Sequence, residues 1–107
     1  MRTLGSIVLL SSLVGCMISE DDFPDRYARA ACRSLEECDP DFYEDTFDGD
    51  FEECTDFYAD VIELFMELNE EAGETYDPRE GRRCVNDVRL ASCDDLRDGD
   101  VSCEVFE

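Results

Sequence analysis

Residues 51–68 read FEECTDFYADVIELFMEL, and the reading of this stretch decides the fold. Phe51, Cys54, Tyr58, Val61, Phe65 and Leu68 recur three and four residues apart, the period of one face of an α-helix. Phe57, Ile62, Leu64 and Met66 widen that face. A helix so broadly apolar is expected to lie centrally and to be well covered by its neighbours. Ala72-Gly73 ends it, because glycine readily takes the left-handed conformation that closes a helix.

The flanking segments extend the helical pattern. Upstream, a helix is expected to begin near Pro24, which is tolerated in the first turn. Tyr27, Ala30, Ala31, Leu35 and Cys38 share one face of it, and Asp39-Pro40 ends it. Residues 41–50 read as a loop or broken turn around Asp48-Gly49-Asp50. Downstream, Asp77 can cap a third helix, Pro78 fits its first turn, and Glu80 is placed to reach back as in a capping box. Cys84, Val85, Val88, Ala91 and Ser92 then share a face. This helix frays near Leu96, and Asp98-Gly99-Asp100 turns the chain into Val101-Ser102-Cys103. No strand-like alternation persists long enough to argue for a sheet. The expected fold is all-α: a small disulfide-stapled bundle of about three helices, with room for one short extra turn, occupying residues 23–107.

Charge narrows the function classes. The chain holds 30 Asp and Glu against nine Arg, with no Lys and no His, for a net charge of −21. Nucleic acid is disfavoured as a partner, because phosphate binding depends on clustered Lys and Arg. Peripheral docking on anionic lipid is disfavoured for the same reason. Basic protein partners or divalent cations fit the sign better. Solubility and self-repulsion at a surface are the plainer reading of the same charge.

The N-terminus has the parts of an export signal. Arg2 supplies a positive start, Leu4 to Leu13 form an uncharged apolar run, and the small residue Gly15 precedes Cys16. A membrane-spanning helix needs about 20 apolar residues, and this run is shorter. Leu13-Val14-Gly15-Cys16 resembles the lipobox of bacterial lipoproteins. The resemblance covers residues 1–16. It implies that residues 1–15 are a signal peptide, cut before Cys16 by the lipoprotein signal peptidase. Cys16 would then carry a thioether-linked diacylglycerol and an N-acyl chain, and residues 16–22 would be a lipidated tether. Two or three chains hold far better than one, at about 0.8 kcal/mol for each buried CH₂. In that family an Asp after the cysteine often retains the product at the inner membrane. Met17 stands there, so the resemblance favours the outer membrane of the cell envelope. Cleavage would remove one Arg and no acid, leaving eight Arg against 30 acids and a charge of −22.

Cysteine arithmetic agrees with that address. Assigning Cys16 to lipid leaves six: Cys32, Cys38, Cys54, Cys84, Cys93 and Cys103. An even number in a small exported domain reads as a disulfide framework. A thin core, further weakened by crowded carboxylates, needs one. Zinc fits poorly, with no Cys-x-x-Cys and no His. A faint internal echo sets Cys38-Asp39, Asp48-Gly49-Asp50 and Cys54 beside Cys93-Asp94, Asp98-Gly99-Asp100 and Cys103. If the echo is a repeat, Cys38–Cys54 and Cys93–Cys103 close locally, and Cys32–Cys84 ties the first helix to the third. Six cysteines allow 15 pairings. The cysteine pattern, with its Cys-x₅-Cys-Asp-Pro, is also similar to small cysteine-rich lipoproteins of high-GC Gram-negative bacteria; that similarity implies no activity.

The acidic stretch from Glu36 to Glu53 is the leading candidate site, with Asp39, Asp41, Asp48 and Asp50 as candidate contacts for a cation or a partner. Crowded like charges attract a hard cation. The spacing is not that of an EF-hand. With Gly49 as the required glycine, Thr55 falls where the bidentate Glu belongs. The second Asp-Gly-Asp fails similarly, placing Leu96 and Val105 at ligand positions. Phe42, Tyr43, Phe47 and Phe51 interleave with the acids and are expected to pack this segment onto the following helix. With no His, the Ser-His-Asp and Cys-His constellations are absent. Paired carboxylates are abundant, but a bundle this small leaves little room for a cleft. No catalytic residue, metal ligand or cofactor is assigned. The expected role is a lipid-anchored, acidic, non-catalytic interaction or structural module. A calcium-binding surface protein is the alternative, and a small hydrolase using paired carboxylates stands behind both.

Overall fold

The computed structural model describes residues 17–99, 101 and 103–107. Residues 1–15, read above as a signal peptide, and Cys16 lie outside the described residues. Among those residues the chain forms five helices: α1 Phe23–Cys38, α2 Pro40–Phe47, α3 Phe51–Glu71, α4 Pro78–Leu90 and α5 Cys93–Asp98. The all-α expectation holds, with more helices than three. The segment read as a loop is the added helix α2. Asp39-Pro40 stops α1 and starts α2 in one step: Asp39 caps α2 by accepting from the Phe42 N–H at 3.4 Å, and Pro40 takes the first turn. Asp50 caps α3 in the same way, accepting from the N–H groups of Glu52 and Glu53.

α1 is the central helix, packing against each of the other four, whereas α3 packs substantially against α1 and α2 alone. Small residues explain the exchange of roles. Ala28 and Cys32, one turn apart on α1, are fully buried, so neighbouring backbones can approach closely.

Two clusters make the core. The larger joins Ile18, Phe23, Ala30, Met66, Tyr76, Cys84, Val85, Val88 and Val105. The smaller joins Cys32, Tyr43, Phe47 and Cys54, with Leu35, Phe51 and Tyr58 against it. As expected, the acidic segment is packed onto α3 by its aromatics, although Phe42 is left exposed.

The segment read as a tether is part of the fold from Ile18 onward. Ile18 is 3% exposed, its N–H donates to the Pro78 carbonyl at 3.1 Å, and its carbonyl accepts from the Tyr76 hydroxyl at 2.7 Å. Gly81 makes room for this contact, because a Cβ there would collide with the Tyr76 hydroxyl. Beside it the C-terminal residues pair with residues 75–77 through a Tyr76–Phe106 antiparallel bridge. Asp77 caps α4 as expected, accepting from Arg79 and Glu80 N–H. Glu80 does not complete a capping box. The Asp77 N–H donates to the Val105 carbonyl, and the Glu80 carboxylate pairs with Arg83 at 3.2 Å.

All six framework cysteines are oxidised, in a pairing that overturns the repeat-based one. The bonds are Cys32–Cys54, Cys38–Cys93 and Cys84–Cys103. Cys32–Cys84, Cys38–Cys54 and Cys93–Cys103 do not form. The reason is tertiary: Cys32 faces α3 from the middle of α1, so it meets Cys54. Cys38, at the end of α1, meets the start of α5. Cys84 then holds the C-terminal segment onto α4.

Candidate interaction surface

The four aspartates singled out from sequence sit at helix ends. Asp39 and Asp50 cap α2 and α3, Asp41 lies in the first turn of α2, and Asp48 closes α2 in a left-handed conformation (φ 55°). A carboxylate at a helix N-terminus satisfies free N–H groups and favours the positive end of the dipole. The capping alone explains why two of these acids stand where they do. Among the described residues no group of three or more His, Cys, Asp or Glu side chains is arranged to hold a metal ion.

A groove of about 560 Å³ runs along α1. Its walls include Tyr27, Ala31, Leu35, Tyr58 and Val88, with the Cys38–Cys93 bond at one end. One carboxylate, Asp39, and one guanidinium, Arg97, border it. That set holds one carboxylate, whereas glycosidase-type hydrolysis uses a facing pair. Burial raises the hydroxyl pKa of Tyr27 on this wall, and raises that of Tyr58 together with the charge on Tyr27.

The surface that stands out is the outer side of α3. Met66, Cys54 and Thr55 are buried on its inner side, and Tyr58 and Ile62 are half-buried. Phe57, Val61, Leu64, Phe65 and Leu68 lie on an adjoining strip that begins one turn beyond Cys54, each 46% to 57% exposed. The expectation of a well-covered helix is therefore corrected. The stripe read from sequence is one face, covered at Phe51, Cys54 and Tyr58 and uncovered from Val61 onward, so the neighbours cover only the first half of it. Phe47 stands beside Phe57 at 5.7 Å between ring centroids, and Phe106 beside Phe65 at 6.1 Å, so folded chain closes the stripe along one side. Glu53, Asp60 and Glu67 line the other side at intervals of seven residues, with Asp56, Glu63 and Glu70 behind them.

Charge is divided as sharply as burial. From Ser34 to Pro78 the chain has 18 acids and no base. All eight Arg of the described residues lie outside that span, on α1, α4 and α5. The ion pairs Arg29–Asp25, Arg83–Glu80 and Arg97–Asp94 follow them, all exposed except at the half-buried Glu80. Sequence periodicity contained Phe57, Leu64 and their neighbours but did not mark them as a surface. The signal that could have found it is the excess of apolar residues around α3 over what its two neighbours, α1 and α2, can cover.

Among the described residues no helix is long and apolar enough to cross a membrane. Comparisons with protein-family models, with characterised proteins and with solved structures found no match to this chain.

Proposed function

We propose that this protein is a lipid-anchored, non-catalytic interaction module of the cell envelope that presents the outer side of α3 to a protein partner. One observation carries the interaction reading: five large apolar side chains are exposed together on the helix that holds no base. Isolated exposed apolar residues are ordinary, but a contiguous stripe of them marks an interaction surface. The acid row beside it supplies the polar rim that such surfaces carry.

The lipobox-like Leu13-Val14-Gly15-Cys16 supports the anchor, with acyl chains on Cys16 and the outer membrane favoured over the inner. The docking of Ile18 gives that anchor a mechanical consequence. Met17 alone separates the lipidated residue from the folded core. Two residue steps span at most about 7 Å, so the domain rides directly on the bilayer surface.

Two measurements test the two halves of this reading. Cys16→Ser should abolish metabolic labelling with palmitate and release the protein from membranes, leaving its melting transition unchanged. An unfolded product would instead place Cys16 in the disulfide framework. A photo-crosslinking residue in place of Leu64 should give a discrete adduct in intact cells, whereas one in place of Asp87, on α4, should give none. Equal labelling from both positions, or none from Leu64, removes the interaction reading.

A further inference from the structure

We infer that the outer side of α3 is half of a two-helix seam whose other half is a basic amphipathic helix of a partner protein. The inference rests on the interaction reading above and names the kind of partner. Phe57, Val61, Leu64 and Leu68 are spaced four, three and four residues apart, the alternation of d and a positions in a coiled coil. All four are exposed, and the preceding a position, Cys54, is buried in its bond to Cys32, so the free seam begins at Phe57. In that register Glu53, Asp60 and Glu67 all fall at g, the position whose charge selects the facing helix. Tyr58 and Phe65 fall at e, on the side where Phe47 and Phe106 stand.

A second copy of this chain does not fit that seam. An antiparallel pair would set the acid row against itself. A parallel pair would set it against Tyr58 and Phe65, which already pack on their own domain. Either arrangement brings together two copies of a segment, residues 34–78, that carries 18 acids and no base. Opposed like charges disfavour a partner as strongly as matched ones favour it. The complement is a helix of about three turns with apolar a and d residues and Lys or Arg along one flank.

The test uses the purified native protein in nanodiscs of zwitterionic lipid and two synthetic helix-forming peptides. Both carry Leu at a and d; one carries Lys at e and g, the other Glu. The Lys peptide should bind, weakening as salt rises from low to physiological strength. The Glu peptide should fail to bind. Leu64→Gln should weaken the Lys peptide roughly tenfold. The pair Asp60→Lys and Glu67→Lys should reverse the preference toward the Glu peptide. Equal binding of both peptides, a preference unmoved by that pair, or concentration-dependent dimerisation through Leu64 in sedimentation would each overturn the inference. A Leu64 cross-link that persists in cells while the Lys peptide does not bind would sink the helical partner and leave the interaction reading standing.

Discussion

The two sides of α3 share a helix and an apolar character and differ in fate. Toward α1, Cys54 and Met66 are buried and Tyr58 and Ile62 are partly covered. Away from it, Phe57, Val61, Leu64 and Leu68 face solvent. Hydrophobicity does not separate them; the neighbour does. α1 brings Ala28 and Cys32, small enough for close approach, and a disulfide that fixes the distance. Nothing among the described residues is placed to do the same for the outer side. Apolar periodicity therefore reports that a surface wants a partner, and the rest of the chain decides whether that partner is its own core.

The comparison breaks most severely at the covalent tie. Replacing Cys32 and Cys54 together by Ala removes the bond that clamps the inner side to α1, closing a sequence separation of 22 residues. The loss should be about 3 kcal/mol, read as a lower denaturant midpoint under non-reducing conditions. Met66→Ala follows. Met66 is 5% exposed, and its removal leaves a cavity in the cluster to which Phe23, Tyr76 and Val85 also belong. A cost of about 2 to 3 kcal/mol is expected, with the midpoint moving and the slope unchanged.

Local chemistry explains how much of this could be read in advance. Asp39-Pro40, Ala72-Gly73 and Asp77-Pro78 act on their immediate neighbours, so they place helix ends reliably. The same Asp39-Pro40 concealed α2, because a stop signal and a start signal were superimposed. Six cysteines apart from Cys16 implied three bonds, yet their pairing depends on which helices touch, and no spacing rule contains that. Ile18 shows the limit most clearly. One apolar residue among Met, Ser, Glu and Asp has no period, yet its burial and two hydrogen bonds turn a presumed tether into core. The exposed surface was not legible: the acid-rich stretch singled out from sequence spans residues 36–53, whereas the uncovered stripe spans 57–68. Three-and-four spacing marks an apolar face but not how far along α3 the neighbours reach.

The Ile18 end of the core gives a smaller, pH-dependent effect. The Tyr76 hydroxyl is pushed up from 10.0 to about 12, first by burial and then by the charge of Asp77. Its folded value lies above its unfolded one, so its contribution is intact below pH 10 and is lost as pH rises from there toward 12. Stability should fall across that window. Tyr76→Phe should cost about 1 kcal/mol at pH 8 by removing the bond to the Ile18 carbonyl. The same variant should flatten the alkaline fall without erasing it, because burial also raises Tyr27, Tyr43 and Tyr58.

The smallest expected change carries the most information about the outer side. Leu64 is 57% exposed, and replacing it by Gln removes little buried area, so the free protein should keep its stability to within about 0.5 kcal/mol. Gln retains helix propensity, which removes local structure as a confounding cause. Met66→Gln, two residues away on the inner side, is the matched control. It should destabilise strongly, because an amide placed there loses water without gaining a partner. A core side chain reports in the melting curve of the isolated protein, whereas an interface side chain reports only when its partner is present. If Leu64→Gln lowered the midpoint as far as Met66→Gln does, the outer side would be core after all. Equal stability, combined with a lost cross-link in cells, would mean that Leu64 is retained for contacts that the chain does not make with itself.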